Sequence, residues 1–234
     1  HDDFRLYEQE ISEIRFPDKC LRFTNDFDLL KQEVREQFPD EIDGFIRLVR
    51  KVESFDELSL TAGEWTSSKE ILGSYISDPV LIDMLLCPLM YYGSASERDM
   101  DFYQFVIMFK SIFMEGFAKP AGGMLYILNL LVDKFKSLGG ELRMDAEVDI
   151  INSRRGEFKS LNLVGGEELT ASALISSMGR VETLRRCDPN LMEQVTNDSE
   201  GRVSFMESLF ALDREPKDLG YCRSIIFFCS DYRF

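Results

Sequence analysis

The hydrophobic pattern of this chain changes character at Gly139-Gly140, and that change constrains the fold more than any other feature. Between residues 25 and 117, apolar residues recur at helical spacing, whereas beyond the glycine pair they alternate as they do in strands. Turns are predicted at 154–157 and at Gly165-Gly166, so residues 142–177 are expected to form a largely antiparallel sheet. The pattern therefore predicts an α+β fold.

Local signals mark where the helices begin and end. Asn25 or Asp26 is suited to cap a first helix, and Phe38-Pro39 interrupts the helical run that follows. Ser67-x-x-Glu70 has the spacing of a capping box, and Asp78-Pro79 joins an N-cap residue to a proline at the favoured first position. Residues 25–117 are expected to contain no more than short strands.

Further strands are predicted towards both ends of the chain. Alternating apolar residues from Leu6 to Phe23 flank Pro17-Asp18 and predict a hairpin. A strand over Leu169–Ser177 is expected to lead into a short helix over Val181–Arg186. Two more strands are expected, at Val203–Leu212 and Ser224–Cys229.

The charge and hydropathy of the chain limit its partners. Asp and Glu number 42 against 27 Lys and Arg, and the resulting net charge of -15 argues against nucleic acid or an anionic bilayer as a partner. The longest apolar stretch, Pro79–Tyr92, contains Asp83 and is too short to span a membrane, and the N-terminus has no signal-peptide pattern. We expect a soluble, cytoplasmic protein with no integral membrane contact.

Cysteine and histidine usage narrows the chemistry. The five cysteines are an odd number without Cys-x-x-Cys spacing, which favours reduced core thiols over disulfides or a metal site. The only histidine is His1, so histidine-dependent triads, bases and metal sites are excluded. Any chemistry must come from carboxylates, Lys, Tyr, Cys or a cofactor.

Gly122 and Gly123 follow Pro120 and open an amphipathic helix. The pair lets the backbone approach a neighbour closely, and the first turn of the helix has free amides. Such a helix start suits a phosphate, a flavin or simple packing. Judged on these residues alone, packing beside a core is the more ordinary interpretation.

The segment Asp99–Phe117 is apolar around most of its circumference. Its aromatic and methionine side chains are suited to line a tunnel for a long apolar substrate. We therefore take Tyr103, Phe109 and Phe113, together with Gly122 and Gly123, as candidate substrate-binding residues. The alternatives are a central buried helix or an interface helix in a homodimer.

Several motifs occur in a recognisable order along the chain. They are Pro120-Ala-Gly-Gly with its helix, Gly139-Gly-Glu-Leu, Ala146-Glu-Val-Asp-Ile-Ile, a hairpin, Gly165-Gly-Glu-Glu-Leu and Ala171-Ser-Ala-Leu-Ile-Ser-Ser-Met-Gly. In this order they resemble the middle section of the phytoene desaturase and amine oxidase-like group of FAD-dependent oxidoreductases, with a clear match over residues 117–186.

The resemblance implies a fragment of a two-domain flavoprotein oxidoreductase. Residues 1–117 would be a mainly helical substrate-side portion with an N-terminal hairpin. Residues 118–186 would be part of an FAD-binding domain, and 187–234 would return to the substrate-side sheet. The helical portion is then expected to pack with a largely antiparallel sheet.

The resemblance also implies cofactor contacts. The backbone of Val148 would meet the adenine, and Ser176, Ser177, Met178 and Gly179 would pass close to the dinucleotide, where a side chain would intrude. Judged on the residues alone, a core strand residue at Val148 and a strand-to-helix turn at Gly179 are the more ordinary interpretations. The resemblance assigns no catalytic residue, and no metal is expected.

One departure from the group matters. Its members begin with a Gly-x-Gly-x-x-Gly turn that holds the flavin pyrophosphate, and they have a second glycine-rich flavin segment near the C-terminus. Neither motif occurs in this sequence. We expect the chain alone to be inactive and to bind no FAD, and the complete protein to oxidise or isomerise an apolar substrate. The alternative is a non-catalytic binding or oligomerisation module that buries a partner with its apolar helices.

Overall fold

The computed structural model describes residues 4–55, 65–94, 96–154, 157–187 and 206–231. The chain divides into two compact units. The first is made of His1–Ile127 and Phe205–Phe234, and the second of Leu128–Ser204.

The structure describes five short strands in the first unit. They are β1 (Leu6–Glu8), β2 (Ser12–Arg15), β3 (Cys20–Phe23), β4 (Ala118–Pro120) and β8 (Ile226–Phe228). β2 and β3 form the predicted antiparallel hairpin, and β8 lies parallel to β2 on its other side. The predicted hairpin was wrong for β1, which pairs antiparallel with β4 instead. Gln9, which follows β1, donates its backbone N–H to the carbonyl of Phe117, which precedes β4. The pairing of the β1 segment with the β4 segment therefore ends before β2 begins.

Three helices of the first unit begin at caps that the sequence predicted. They are α1 (Phe27–Gln37), α2 (Ile42–Glu53), α3 (Ser68–Gly73), α4 (Pro79–Gly93) and α5 (Phe102–Phe109). Asp26, Ser67 and Asp78 each accept a hydrogen bond from a first-turn amide of α1, α3 and α4 respectively. A 3₁₀ turn, Pro39–Glu41, separates α1 from α2 at the predicted proline break.

α5 continues into a π-helix, Lys110–Glu115, which ends at Gly116. Gly116 has a φ of 83°, a conformation that favours glycine. The Asn25 side chain fixes the next residue, because its Oδ1 accepts from the Phe117 amide at 3.1 Å and its Nδ2 donates to the Phe117 carbonyl at 3.2 Å. Asn25 therefore ties the end of the π-helix to the segment before α1.

Aromatic rings fill the centre of the first unit. Phe23, Phe45, Phe105, Phe109 and Phe113 are all fully buried. The rings of Phe109 and Phe113 lie 5.1 Å apart, and those of Phe23 and Phe113 lie 5.2 Å apart, both edge to face. The core therefore joins β3 to α5 and the π-helix.

A buried carboxylate holds the C-terminal strand against the N-terminal hairpin. The Glu13 side chain, 3% exposed, lies on β2 and forms ion pairs with Arg15 and Arg223. Burial raises the pKa of Glu13, but the hydrogen bonds and charges of Arg223 and Arg15 outweigh it and lower the pKa overall. Ionised Glu13 thus stabilises the sheet that β2 shares with β8.

The second unit contains an antiparallel sheet, which in the amino-acid sequence lies between two helices. Its strands are β5 (Val148–Arg154), β6 (Glu157–Leu163) and β7 (Glu168–Thr170), in the order β5-β6-β7. α6 (Met124–Ser137) begins in the first unit and continues into the second, and α7 is Arg180–Arg186. The predicted α+β class is confirmed, and the sheet after Gly139-Gly140 is antiparallel as expected. The expected turn residues Arg155 and Gly156 lie outside the described residues.

The sheet is shorter than the sequence predicted. Residues 142–147 precede β5 without forming a strand, and the strand expected over Leu169–Ser177 ends at Thr170. The remainder of that segment is exposed, with Ile175 at 96%. Alternating apolar residues form a strand only where a neighbour accepts their backbone bonds. In the described part of the chain, β7 pairs with β6 alone.

The strand expected over Val203–Leu212 is also wrong for residues 206–212, which carry no helix or strand. Residues 203–205 lie outside the described part of the chain. The strand expected over Ser224–Cys229 is confirmed as β8.

We predict that Gly116→Ala destabilises the protein by about 3 kcal/mol or more. A Cβ at Gly116 would lie 2.1 Å from Oδ1 and 2.8 Å from Cα of Asn25, so steric overlap adds to the cost of its positive φ. Gly220→Ala is the matched control, because Gly220 has a similar φ of 85° and no atom within 4 Å of the added Cβ. The control should cost only about 1–2 kcal/mol. Urea unfolding measures both variants, and equal losses would contradict the close packing of Gly116 against Asn25.

We also predict that Glu13→Gln lowers the free energy of unfolding at pH 7 by about 1–3 kcal/mol, because hydrogen bonds to a charged group are lost. A carboxylate whose pKa is lowered by folding contributes stability above its unfolded pKa, and that stability is lost as the pH falls through the folded pKa. Below about pH 5 the variant should therefore lose less stability than the parent. Glu53→Gln, at an exposed position of α2, is the control and should follow the parent curve.

Candidate functional site

Val148 begins β5, which is an edge strand of the second unit's sheet among the residues that the structure describes. It lies opposite Leu163, whose amide donates across to Glu167 on the side of β7. Val148 and Leu163 therefore form a non-hydrogen-bonded pair, in which both residues direct their backbone groups away from each other. The N–H and C=O of Val148 consequently point towards the open edge of β5. This donor and acceptor pair is suited to the edge of a purine ring.

The helix α7 packs against the same strand. Its last residue, Arg186, lies 3.2 Å from a carboxylate oxygen of Glu147 and donates at 3.5 Å to the backbone carbonyl of Asp149. These two residues flank Val148. Both pairs are solvent-exposed, so each contributes at most about 1 kcal/mol. Arg186 orients the strand rather than supplying a free cation.

The loop Ser176–Gly179 lies at the other end of α7. Its conformation is fixed by Thr183, whose hydroxyl lies 2.6 Å from the Ser176 hydroxyl and donates at 2.6 Å to the Gly179 carbonyl. Gly179 has a φ of 102°, which favours glycine. Ser177 and Met178 are exposed. Val148 and this loop thus share one unit, at opposite ends of a helix about 10 Å long.

The electrostatics of this loop are mixed. A Cβ added at Gly179 would meet Glu182 Oε2 at 2.6 Å, so a carboxylate lies beside the glycine. Negative charge at that position opposes the approach of a pyrophosphate. The seven-residue α7 also provides only a weak helix dipole. The described residues of this loop therefore do not by themselves form a phosphate cradle.

The candidate substrate residues divide into two groups. Phe109 and Phe113 are fully buried in the aromatic core, which favours the central-helix alternative for this segment. Tyr103 is partly exposed, and its ring lies 5.8 Å from that of Phe55. Gly122 and Gly123 are exposed at the start of α6, with φ values of 88° and 72°. The structure brings the two phenylalanines together and leaves the glycines at the helix start.

Thr183 and an exposed aromatic surface were not identified from the sequence. Thr183 lies four residues after Gly179, the spacing at which a threonine hydroxyl reaches back to a carbonyl, so a signal for it existed. The exposed rings of Tyr91 and Tyr92 end α4 and both approach Phe227, at 5.9 and 6.5 Å. No local pattern predicts this surface, because its members are far apart in sequence.

An open cleft of about 480 Å³ lies beside the turn of the β2–β3 hairpin. Lys19 and Cys20 line it, but Lys19 donates to the Gln37 carbonyl at 2.7 Å and lies over the Phe38 ring. Burial raises the pKa of the Cys20 thiol, which makes it a poor nucleophile. The described residues contain no cluster able to hold a metal ion and no helix long and apolar enough to cross a membrane.

No protein-family profile matches the sequence, and no curated protein matches it either. Thirteen chains of solved structures do match. An oxidoreductase from Methanosarcina mazei is 20% identical with a TM-score of 0.53, over 79% of this chain and 43% of its own. A Pyrococcus furiosus protein is 14% identical with a TM-score of 0.52, over 81% of this chain and 45% of its own.

A putrescine oxidase variant with redesigned cofactor binding also matches, at 14% identity and a TM-score of 0.51, over 83% of this chain and 44% of its own. At these identities the likeness shows the fold alone. The α+β fold is therefore shared with parts of oxidoreductases, one of which is an amine oxidase. The chain spans less than half the length of each structure.

We predict that Gly179→Val lowers the free energy of unfolding of this chain by about 1–3 kcal/mol, because valine must adopt a strained positive φ. The nearest obstacle is the mobile end of the Glu182 side chain, so little steric cost should be added. Gly165→Ala, which has ordinary φ and open space around its Cβ, should leave stability within about 0.5 kcal/mol. Thermal or urea unfolding provides the comparison, and a loss well above this range would place Gly179 in tighter packing.

Proposed function

We propose that this chain is the substrate-side portion, with part of the FAD-binding domain, of an FAD-dependent oxidoreductase similar to phytoene desaturases that acts on an apolar substrate. The observation that supports it most is the fold likeness to oxidoreductases, including putrescine oxidase, at TM-scores of 0.51–0.53. The order of glycine-rich motifs supports the FAD-dependent class. The reduced cysteines are in keeping with a cytoplasmic location.

In this proposal, residues 118–186 belong to the FAD-binding domain, and 1–117 with 187–234 belong to the substrate side. The exposed apolar surface of the second unit supports its role as part of a larger domain. Leu131 on α6, Ile150 on β5 and Ile175 are 63%, 48% and 96% exposed. Surface of this kind is normally covered by another part of a protein. Additional flavin-binding polypeptide would provide that cover.

When bound, a flavin would accept a hydride from a carbon of the substrate. The residues of this chain would orient the cofactor and the substrate and enclose them. The outward-facing N–H and C=O of Val148 would bind the adenine edge, and Gly179 would let the loop that begins at Ser176 approach the dinucleotide without a Cβ. On the substrate side, Tyr103 would contact the apolar substrate, while Phe109 and Phe113 keep its helix rigid.

A second candidate is a non-catalytic binding or oligomerisation module. The observation that favours it is an apolar stripe along α6 and just past its end, formed by Leu128, Leu131, Phe135 and Leu138, which are 48–74% exposed. Their spacing of four and three residues is that of a helix-pairing seam. Gel filtration and polyene binding of the Leu131→Glu variant separate the two proposals. If the chain is a module of this kind, the variant should lose its assembly. If the chain belongs to the oxidoreductase, the variant should still bind an apolar polyene.

The product of the complete reading frame tests the leading proposal. We predict flavin absorbance that stays with the protein through gel filtration, and its loss in Gly179→Val while the circular dichroism is still native. Gly139→Ala is the matched control, since Gly139 has a φ of 86° and nothing within 4 Å of the added Cβ. It should keep its flavin.

Two outcomes would contradict the predictions for the complete protein. A complete protein without flavin would refute the oxidoreductase proposal as a whole. A folded Gly179→Val variant with full flavin occupancy would refute the cofactor role of residues 176–179 alone.

The chain of 234 residues by itself should retain no flavin after mixing with FAD, because its net charge of -15 disfavours a dianion.

A further inference from the structure

The open cleft of about 480 Å³ beside the turn of the β2–β3 hairpin has no role in the proposed function. Its volume is in the range of sites that bind small molecules. Phe16, Pro17 and Phe228 give it apolar walls, and Arg15 and Lys19 bring cationic groups to it. Phe16 is buried, whereas Phe228 is 63% exposed. Apolar walls with a few charged groups are the usual composition of a small-molecule site.

The positive charge of the cleft comes from two arginines that share one carboxylate. Arg15 donates from Nε to Oε2 of Glu13 at 2.7 Å, and Arg223 pairs with the other carboxylate oxygen of Glu13. Two cations against one anion leave an excess of one positive charge. A guanidinium group also has more N–H donors than a single carboxylate engages. Arg15, whose side chain lines the cleft and is 48% exposed, can therefore bind a second carboxylate.

The second cationic group of the cleft, the ammonium of Lys19, is held in place. Its Nζ donates to the backbone carbonyl of Gln37 at 2.7 Å and lies 4.7 Å from the centroid of the Phe38 ring. An ammonium group has further N–H donors beyond the one that Gln37 accepts. A side chain that is already ordered loses little conformational entropy when a ligand binds. Lys19 is therefore preorganised to bind an anion.

The other charged groups near the cleft leave the excess positive charge in place. Asp18 also lines the cleft, and its charge offsets that of Lys19. Arg22 lies on β3 and forms an ion pair with the buried Glu33. Burial raises the pKa of the Cys20 thiol, so Cys20 carries no charge at neutral pH. The excess that the two arginines create is therefore not neutralised by the wall of the cleft.

From the charge of the cleft and its apolar walls we infer that it binds a small monocarboxylate with an apolar body. The carboxylate contacts Arg15 and Lys19, and the apolar body lies against Pro17 and Phe228. An excess of one positive charge suits a monoanion better than a phosphate monoester, which carries more negative charge. The net charge of -15 opposes anions in general, but charges more than about 8 Å away are largely screened at physiological ionic strength. The inference is independent of the proposed oxidoreductase activity.

Isothermal titration calorimetry of the full chain with benzoate tests the binding. We expect saturable binding at millimolar benzoate, and benzyl alcohol, which has the ring without the charge, should bind about tenfold more weakly. Lys19→Met keeps the alkyl chain and removes the ammonium, so the dissociation constant for benzoate should rise at least about threefold. Lys217→Met, at an exposed position outside the cleft, is the matched control and should leave the dissociation constant unchanged.

Three results of the titrations would overturn the inference. They are the absence of saturable benzoate binding, equal binding of benzyl alcohol, and an equal effect of the two lysine substitutions. Arg15→Met should weaken benzoate binding further, but it also removes a partner of buried Glu13. Lys19→Met therefore provides the decisive comparison, because its ammonium bonds only to a backbone carbonyl and an aromatic face among the described residues.

Protection of Cys20 from alkylation locates the bound probe. Cys20 lines the cleft, whereas Cys222 is exposed outside it. Iodoacetamide is a neutral reagent, so the charge of the cleft does not attract or repel it. At mildly alkaline pH, saturating benzoate should slow the alkylation of Cys20 severalfold and leave that of Cys222 unchanged, as measured by peptide mass spectrometry. Equal alkylation rates of Cys20 with and without benzoate would place the probe elsewhere and overturn the inference.

Discussion

The buried carboxylate of Glu13 is the contact on which the organisation of the first unit depends. It lies on β2, the central strand of its sheet, and its partners are Arg15 on the same strand and Arg223 near the C-terminus. A charge that is 97% buried is stable only when it is fully paired. The pairing therefore requires β8 to lie beside β2, although the two are more than 200 residues apart in sequence. Phe227 then completes the aromatic core.

A second long-range constraint closes the helical part of this unit. The Asn25 side chain bonds both the N–H and the C=O of Phe117 and so brings the start of α1 to the end of the π-helix. Gly116 is required there because its φ is positive and its Cα lies against Asn25. A π-helix is a rare element that is often found at functional sites. Here, it orients Phe117 towards Phe23 and Tyr92.

The second unit is built differently. Only a few of its described apolar residues, such as Ile151 and Val181, are buried, while many on α6, β5 and the loop before α7 are exposed. Its backbone hydrogen bonds hold the sheet together, and Thr183 and Arg186 hold the two ends of α7. A unit with so small a core gains little hydrophobic stabilisation of its own. This is the physical basis for proposing that it forms part of a larger flavin-binding domain.

The sequence by itself determined what depends on neighbouring residues. The caps at Asp26, Ser67 and Asp78, the break at Pro39 and the change of period after Gly139-Gly140 act over a few positions, so the α+β class and most helix starts were predictable. Only the tertiary structure decided the pairing of β1 with β4 and of β2 with β8, the burial of Phe109 and Phe113, and the outward direction of the Val148 backbone. These features depend on partners distant in sequence, and a strand pattern such as that of residues 206–212 does not specify which edge will accept it.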